Sequence, residues 1–171
     1  TLDTPTKTGY TCGYTDTPTG DIKYTTSINA SDNKTLYVKC NPNTYTINFD
    51  TDGGTTVNSK TVTYDSKIGE ITNPTKTGYN FGGWYLDTES ITSESVYKYA
   101  NDITIKAKWT EGTNTKYTVN YYLQTIDKTY GSVTESIVYT GTTNKTVEAE
   151  LKTYEGFVTP SKQTVKILAD G

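Results

Sequence analysis

The feature that most limits what this chain can fold into is that part of it occurs twice. Thr4-Pro-Thr-Lys-Thr-Gly-Tyr10 returns as Asn73-Pro-Thr-Lys-Thr-Gly-Tyr79, an offset of 69 residues. At the same offset Leu36-Tyr-Val-Lys-Cys40 falls on Ile105-Lys-Ala-Lys-Trp109. Self-similarity at a fixed offset predicts small units repeated along the chain, each with its own thin core. Inside those units the apolar residues alternate with polar ones. Tyr45, Ile47 and Phe49 are separated by Thr46 and Asn48, and Val62 and Tyr64 share a side opposite Thr61 and Thr63. That period of two marks one-sided strands. No stretch sustains a period of 3.6, so little helix is expected. The 16 Tyr and the Thr found throughout favour pleated, half-buried surfaces. Hydrophobic content is only 32%. Each buried Tyr or Trp removes roughly 150–250 Å² from water, which suits several thin cores.

Charge narrows the partners. The net charge is −3, and all 16 cations are Lys, with no Arg, His or Met. That balance leaves no electrostatic footprint for nucleic acid, and the missing Arg argues against bidentate phosphate or carboxylate recognition. No run of 18 apolar residues offers a membrane span in this segment. Thr1-Leu-Asp-Thr4 is neither an initiator Met nor a signal peptide. The expectation is a mature or excised piece of a longer exported chain.

One copy of the repeat reads through without a break, from Tyr45 to Trp109. It contains Tyr45-Thr-Ile-Asn-Phe49, the acidic turn Asp50-Thr-Asp-Gly-Gly54, Lys60-Thr-Val-Thr-Tyr64, Asn73–Tyr79, Phe81-Gly-Gly-Trp-Tyr85 and Ile103-Thr-Ile-Lys-Ala-Lys-Trp109. In that order these elements resemble the Listeria–Bacteroides repeat, or internalin B-type B-repeat, of bacterial cell-surface proteins. The resemblance implies ubiquitin-like β-grasp modules in tandem, a mainly β protein with little helix. Residues 116–171 look like the mucin-binding-protein family module that accompanies such repeats. Tyr117-Thr-Val-Asn-Tyr121 there echoes Tyr45–Phe49, and Lys152-Thr-Tyr-Glu-Gly-Phe157 echoes Lys76–Phe81. The expected domains are residues 1–43, a partial repeat without its opening strand; 44–110, a complete repeat; 111–115, a polar linker; and 116–171, a mucin-binding-like β domain without its closing strand. Asp52-Gly-Gly54 is expected to make a tight hairpin turn, and Ser90–Ala100 has room for a short turn or helix.

The first copy departs from the pattern where the intact one carries Phe81-Gly-Gly-Trp84. Thr11-Cys-Gly13 stands there instead, and Cys40 takes the slot of Trp109. A Cys12–Cys40 disulfide in place of an aromatic contact is the reading taken, stabilising by roughly 3–4 kcal/mol through loop closure. Two free buried thiols are the alternative. A metal site is disfavoured, since no His and no third Cys complete a tetrahedral shell.

Catalytic constellations are not found. Without His, the common nucleophile–base pairs are missing. The acid pairs Glu148/Glu150 and Glu89/Glu94 read as solvated surface, so no catalytic residue, cofactor or metal is assigned. Asp50-Thr-Asp-Gly-Gly54 reads as a turn in preference to a calcium loop. Asn29-Ala-Ser31, Asn33-Lys-Thr35 and Asn144-Lys-Thr146 match the glycan-acceptor pattern. Lys106 and Lys108 are places to look for an isopeptide bond, against a reading as lysines blunting a sheet edge. Tyr121, Tyr122 and Tyr130 are the candidate ligand-contact aromatics, each a flat apolar face with a hydroxyl.

The function expected is therefore that of a non-enzymatic extracellular repeat segment of a bacterial cell-surface protein, a stalk, spacer or adhesin array. Two rivals stand beside it: a filament subunit assembled by strand complementation between chains, and a module binding host glycan or protein. The partners are neighbouring modules of the same or a longer chain, identical chains through strand addition, or a host glycan or protein.

Overall fold

In the computed structural model, residues 1–29 and 33–170 are described. Eleven strands follow in order: β1 (Tyr10–Thr15), β2 (Tyr37–Pro42), β3 (Thr44–Asp50), β4 (Lys60–Thr63), β5 (Tyr79–Leu86), β6 (Glu89–Ile91), β7 (Ile103–Glu111), β8 (Thr115–Tyr121), β9 (Glu135–Gly141), β10 (Thr146–Glu148) and β11 (Thr164–Lys166). They form one five-stranded sheet, ordered β4-β3-β7-β5-β6, and three two-stranded sheets, β1-β2, β8-β9 and β10-β11. The protein is mainly β, with no helix among the described residues. Its contacts divide it into a first unit (Thr1–Asp52, Thr56–Asn73 and Gly83–Ala107) and a second (Gly53–Thr55, Pro74–Gly82 and Lys108–Gly171).

The first unit holds most of the core. β3 and β7 run parallel with Ile47 opposite Ile103 and Phe49 opposite Ile105, while β4 pairs antiparallel on the other side of β3, Tyr45 opposite Val62. Alternation does the sorting. Ile103, Ile105 and Ala107 point inward, and Thr104 and Lys106 point to solvent. Ile47, Val62, Ile68, Trp84, Ile91 and Tyr97 complete this core. The Trp84 indole lies edge-on to Phe49 with ring centroids 4.9 Å apart, and its N–H donates to the Thr72 carbonyl at 3.2 Å. Tyr97 is fully buried, stacks on Tyr45 at 5.9 Å and donates its hydroxyl to the Asn101 carbonyl at 2.6 Å. A buried phenol needs such an acceptor.

One local expectation is corrected. Asp52 (φ 49°) and Gly53 (φ 85°) do make the left-handed turn, but no tight hairpin results. β3 ends at Asp50 and β4 begins at Lys60, so the connection is long. Ser90–Ala100 forms the end of β6 and a run of turns, closed by the Tyr97 N–H bonding to the Ser66 carbonyl at 2.9 Å.

The first copy of the repeat is also in this unit. β1 and β2 pair antiparallel with Cys12 directly opposite Cys40, and the two sulfurs are bonded at 2.04 Å. The corresponding residues of the intact copy, Phe81 and Trp109, are in edge-to-face contact at 5.5 Å. A covalent bond stands where the second copy uses two rings.

One backbone network occurs twice, once in each unit. In the first unit, Gly9 (φ 77°) turns the chain so that the Tyr10 N–H reaches the Lys7 carbonyl at 3.0 Å. The Gly9 carbonyl accepts from the Asn43 N–H at 2.9 Å, and the Asn43 carbonyl accepts from the Tyr64 N–H at 2.8 Å. The Tyr64 ring lies so close over Gly9 that a Cβ there would sit 2.4 Å from it. In the second unit, Gly78 (φ 74°) is the counterpart, with Tyr79 N–H to Lys76 carbonyl at 3.0 Å, Gly112 N–H to Gly78 carbonyl at 2.8 Å, and Thr143 N–H to Gly112 carbonyl at 2.9 Å. Thr143, fully buried, also donates its hydroxyl to the Gly78 carbonyl at 2.7 Å. The rest of this unit is the β8–β9 hairpin, with Tyr117 stacked on Tyr139 at 5.6 Å, and the short β10–β11 pair beside buried Ile167.

The disulfide spans 28 residues. Closing a loop of that size limits the unfolded chain and is worth about 3–4 kcal/mol in the chain-entropy model. The double variant Cys12→Ser/Cys40→Ser is expected to lose about that much in urea unfolding. Reductant should lower the wild-type midpoint and leave the variant unmoved.

Candidate binding groove

A groove of about 550 Å³ opens in the second unit, within residues 116–171. One wall is the end of β8 and the residues after it, Val119 to Gln124; the other runs from Ala149 to Ser161. β8 follows from its alternation, with Tyr117, Val119 and Tyr121 half-buried and Thr118 and Asn120 exposed. Beyond it the chain makes a small turn, Thr125 N–H to Thr129 carbonyl at 2.8 Å with Lys128 at φ 60°. That turn brings Tyr130 back to bridge Gln124.

Tyr121, Tyr122 and Tyr130 all line this groove. Tyr121 is half-buried and donates its hydroxyl to the Glu150 carbonyl at 2.8 Å, which ties the two walls together. Tyr122 and Tyr130 are more open, 47% and 65% exposed. The Lys152 ammonium sits 5.3 Å from the centre of the Tyr121 ring, a cation–π distance.

Sequence reasoning missed the polar clamp behind the groove. Glu135 accepts from Lys152 at 2.5 Å and from the Tyr154 hydroxyl at 3.0 Å. The Lys152 ammonium, then the Tyr154 hydroxyl, hold the Glu135 carboxyl below its ordinary range. Tyr139 donates to the Glu150 carboxylate at 2.9 Å, and that bond pushes the phenol well up. The clamp residues lie about 17–19 apart in sequence, beyond any local pattern; the Tyr-rich runs on either side were the available signal.

Elsewhere the acids have separate partners. Glu148 pairs with Lys162 at 2.7 Å, Glu89 accepts from the Tyr99 hydroxyl at 2.8 Å, and Glu94 pairs with Lys67. Burial, then the bond to Glu89, raises the Tyr99 phenol to about 12. Among the described residues no group of three or more His, Cys, Asp or Glu could hold a metal ion. The Asp52 carboxylate instead takes Lys106 at 2.8 Å. Lys106 and Lys108 are exposed on β7, which lies inside the five-stranded sheet. The reading of them as edge-blunting lysines is thus corrected. Of the acceptor pattern at Asn29, Ala30 and Ser31 lie outside the described residues. No helix of the described residues is long and apolar enough to cross a membrane.

Residues 45–108 match the family described as Flg_new, the Listeria-Bacteroides repeat domain. Internalin H of Listeria monocytogenes serovar 1/2a is 37% identical over 119 residues, which cover 64% of this chain and 21% of the relative. A candidate Gly-rich membrane protein of Evansella cellulosilytica is 39% identical over 82 residues, 46% of this chain and 9% of the relative. The chain thus spans about a fifth or less of these relatives. No solved structure gives a significant match.

The repeat domain and the likeness to Internalin H define the class: an extracellular, non-enzymatic repeat segment of a bacterial cell-surface protein. The residues that match the Listeria-Bacteroides repeat domain, 45–108, carry β3 to β7.

The clamp makes a prediction with a sign. Since Glu135 is depressed in the folded state, its contribution is present above the ordinary carboxylate value and is lost as pH falls through the folded one. Wild type should melt higher than Glu135→Gln at neutral pH, and the gap should close on acidification. Parallel melting curves across the acid range would show whether it does.

Proposed function

We propose that this chain is a stalk or spacer, a string of β-grasp-type modules (1–43, 44–110 and 116–171, with 111–115 between the last two) that holds other parts of a surface protein away from the cell. The observation that supports it is the twice-used backbone network at Gly9/Asn43/Tyr64 and Gly78/Gly112/Thr143. Each network lies where one module ends and the next begins. A spacer that merely tethers can be a loose polar string. One that bears and transmits position needs its joints hydrogen-bonded, and these joints bond the amide of the connecting residue to a glycine carbonyl. Glycine is required at both, because the left-handed turn and the close approach leave no room for a side chain: at Gly78 a Cβ would lie 2.7 Å from the Ala169 backbone.

Hydrogen exchange tests this directly. The Asn43 and Gly112 amides should be protected like strand amides. Thr143→Val, which keeps the shape and deletes the hydroxyl bond to Gly78, should cost about 1 kcal/mol and speed exchange at Gly112. Exchange of both amides at free-chain rates in the wild type would sink the stiff-joint reading.

The groove favours a second reading, that of a module binding host glycan. Two exposed tyrosines, Tyr122 and Tyr130, beside Lys152 offer stacking faces and polar groups of the kind a sugar ring uses. Glycan-array binding that Tyr122→Ala and Tyr130→Ala each weaken by tenfold or more would establish it, and an array with no signal would remove it.

A further inference from the structure

Five tyrosine rings form a chain through the first unit. Tyr10 meets Tyr64 with centroids 5.5 Å apart, Tyr64 meets Tyr45 at 6.4 Å, Tyr45 meets Tyr97 at 5.9 Å and Tyr97 meets Tyr99 at 5.5 Å. Each gap is an ordinary aromatic contact. No Phe or Trp interrupts the series. Packing alone does not call for this. Phe fills nearly the same space and brings no hydroxyl to be satisfied, and the other ring contacts of the repeat, Phe49 on Trp84 and Phe81 on Trp109, do use it. A phenol differs from a phenyl ring in one further respect: it gives up an electron far more readily. Electron tunnelling falls steeply with distance, so rings in contact exchange electrons much faster than rings set apart.

The two ends of the chain are not alike. The Tyr99 hydroxyl donates to the Glu89 carboxylate at 2.8 Å. The Tyr10 hydroxyl reaches the Asp65 carboxylate at 3.3 Å, and the Lys7 ammonium stands 3.7 Å from the centre of the Tyr10 ring. A phenol that loses an electron must shed its proton to become a neutral radical, and a carboxylate close on the O–H is the base that takes it. The cation over Tyr10 opposes positive charge there. Tyr97 donates to a backbone carbonyl, that of Asn101, which is too weak a base to keep a proton. The middle of the chain therefore transmits, and Tyr99 is where an electron vacancy comes to rest. Tyr97 is fully buried and Tyr99 only half-buried, so the vacancy also leaves the core for a place a solute can reach.

We propose that these five tyrosines are a one-electron relay that carries an oxidising equivalent from Tyr10 to Tyr99. A one-electron oxidant, of the class of a peroxyl radical or a high-valent metal complex, takes one electron at Tyr10. Electrons then step from Tyr64 to Tyr10, from Tyr45 to Tyr64, from Tyr97 to Tyr45 and from Tyr99 to Tyr97. Tyr10 regains any proton lent to Asp65 as its electron is replaced, and the Tyr99 proton crosses to Glu89. The products are the reduced oxidant, a Tyr99 phenoxyl radical and a protonated Glu89. A soluble one-electron reductant of the ascorbate class then gives Tyr99 an electron, and Glu89 returns the proton. The ring core is left unmodified. This activity belongs to the first unit and stands apart from both the stalk and the glycan readings.

The test places the oxidant at one end of the whole chain. Thr8→Cys, at an exposed position beside the Tyr10 turn, carries a tethered ruthenium tris-bipyridyl sensitiser, with the Cys12–Cys40 bond intact. Light and a cobalt(III) ammine quencher, which keeps the electron it takes, leave ruthenium(III) next to Tyr10. A nitrosoalkane spin trap marks the side chain that holds the radical, and peptide mass spectrometry locates the adduct. The expected adduct is on Tyr99. Tyr45→Phe and Tyr64→Phe each keep the ring and remove the oxidisable group without touching Tyr99. Each should take the adduct off Tyr99 and leave it on the Tyr10 side of the break. Glu89→Gln removes the base and should also lose the Tyr99 adduct. Circular dichroism checks that every variant is folded, and the same sensitiser free in solution should still mark Tyr99 in both Phe variants, which separates a cut path from a hidden Tyr99. A wild-type adduct that stays on Tyr10 or appears on Trp84 would overturn the relay. So would a Tyr99 adduct that survives Tyr45→Phe or Glu89→Gln, or a Tyr99 that the free sensitiser never marks.

Discussion

The parallel pairing of β3 with β7 is the contact on which the rest depends. It brings Ile47 beside Ile103 and makes one sheet from residues far apart in sequence. Parallel neighbours cannot be joined by a short hairpin, so everything between Asp50 and Ile103 must serve as a crossover. β4, β5 and β6 are what the crossover does on its way: β4 pairs beside β3, β5 lies beside β7, and β6 extends the sheet from β5. Trp84 and Tyr97, the largest residues of this core, sit on that crossover and seal the face that the Ile47 and Ile105 side chains present. Both rings find an acceptor for their polar hydrogen on nearby backbone, Thr72 and Asn101. The sheet thus owes its dry interior to residues that are not on its two middle strands.

The second organising element is smaller. Gly9 and Gly78 occupy the same left-handed turn, and each offers a carbonyl to the residue that leads into the next strand pair. A carbonyl at such a turn has lone pairs to spare. Gly78 uses two, one for the Gly112 amide and one for the Thr143 hydroxyl. Repetition of a motif in the sequence is therefore repetition of a hydrogen-bonding task.

Much of this was legible beforehand, and for a simple reason. Alternation is local, so Tyr45–Phe49 and Ile103–Trp109 announce themselves as strands, and the recurring Thr-Lys-Thr-Gly-Tyr announces a shared turn. What could not be read was anything that depends on which strands become neighbours. Lys106 and Lys108 look the same from the sequence whether β7 is an edge or the middle of a sheet, since only their own face is visible there. The long connection after Asp50 was hidden because Asp52 and Gly53 carry the composition of a hairpin and do form its turn. For the groove, Tyr121, Tyr122 and Tyr130 were nameable as aromatic, but the clamp of Glu135 with Lys152 and Tyr154 exists only once the two walls have met.

The bond between Cys12 and Cys40 has a mechanical side. A surface protein is pulled by flow and by whatever it holds, and force applied along the chain passes across that bond without entering the 28-residue span it closes. An extended chain reaches at most about 3.3–3.6 Å per residue, so close to 100 Å of slack is kept out of reach while the bond is oxidised. The second copy, which uses Phe81 and Trp109 at the same place, has no such stop and can pay out its length under load. The two copies are alike in outline, yet one is a locked link and the other a spring.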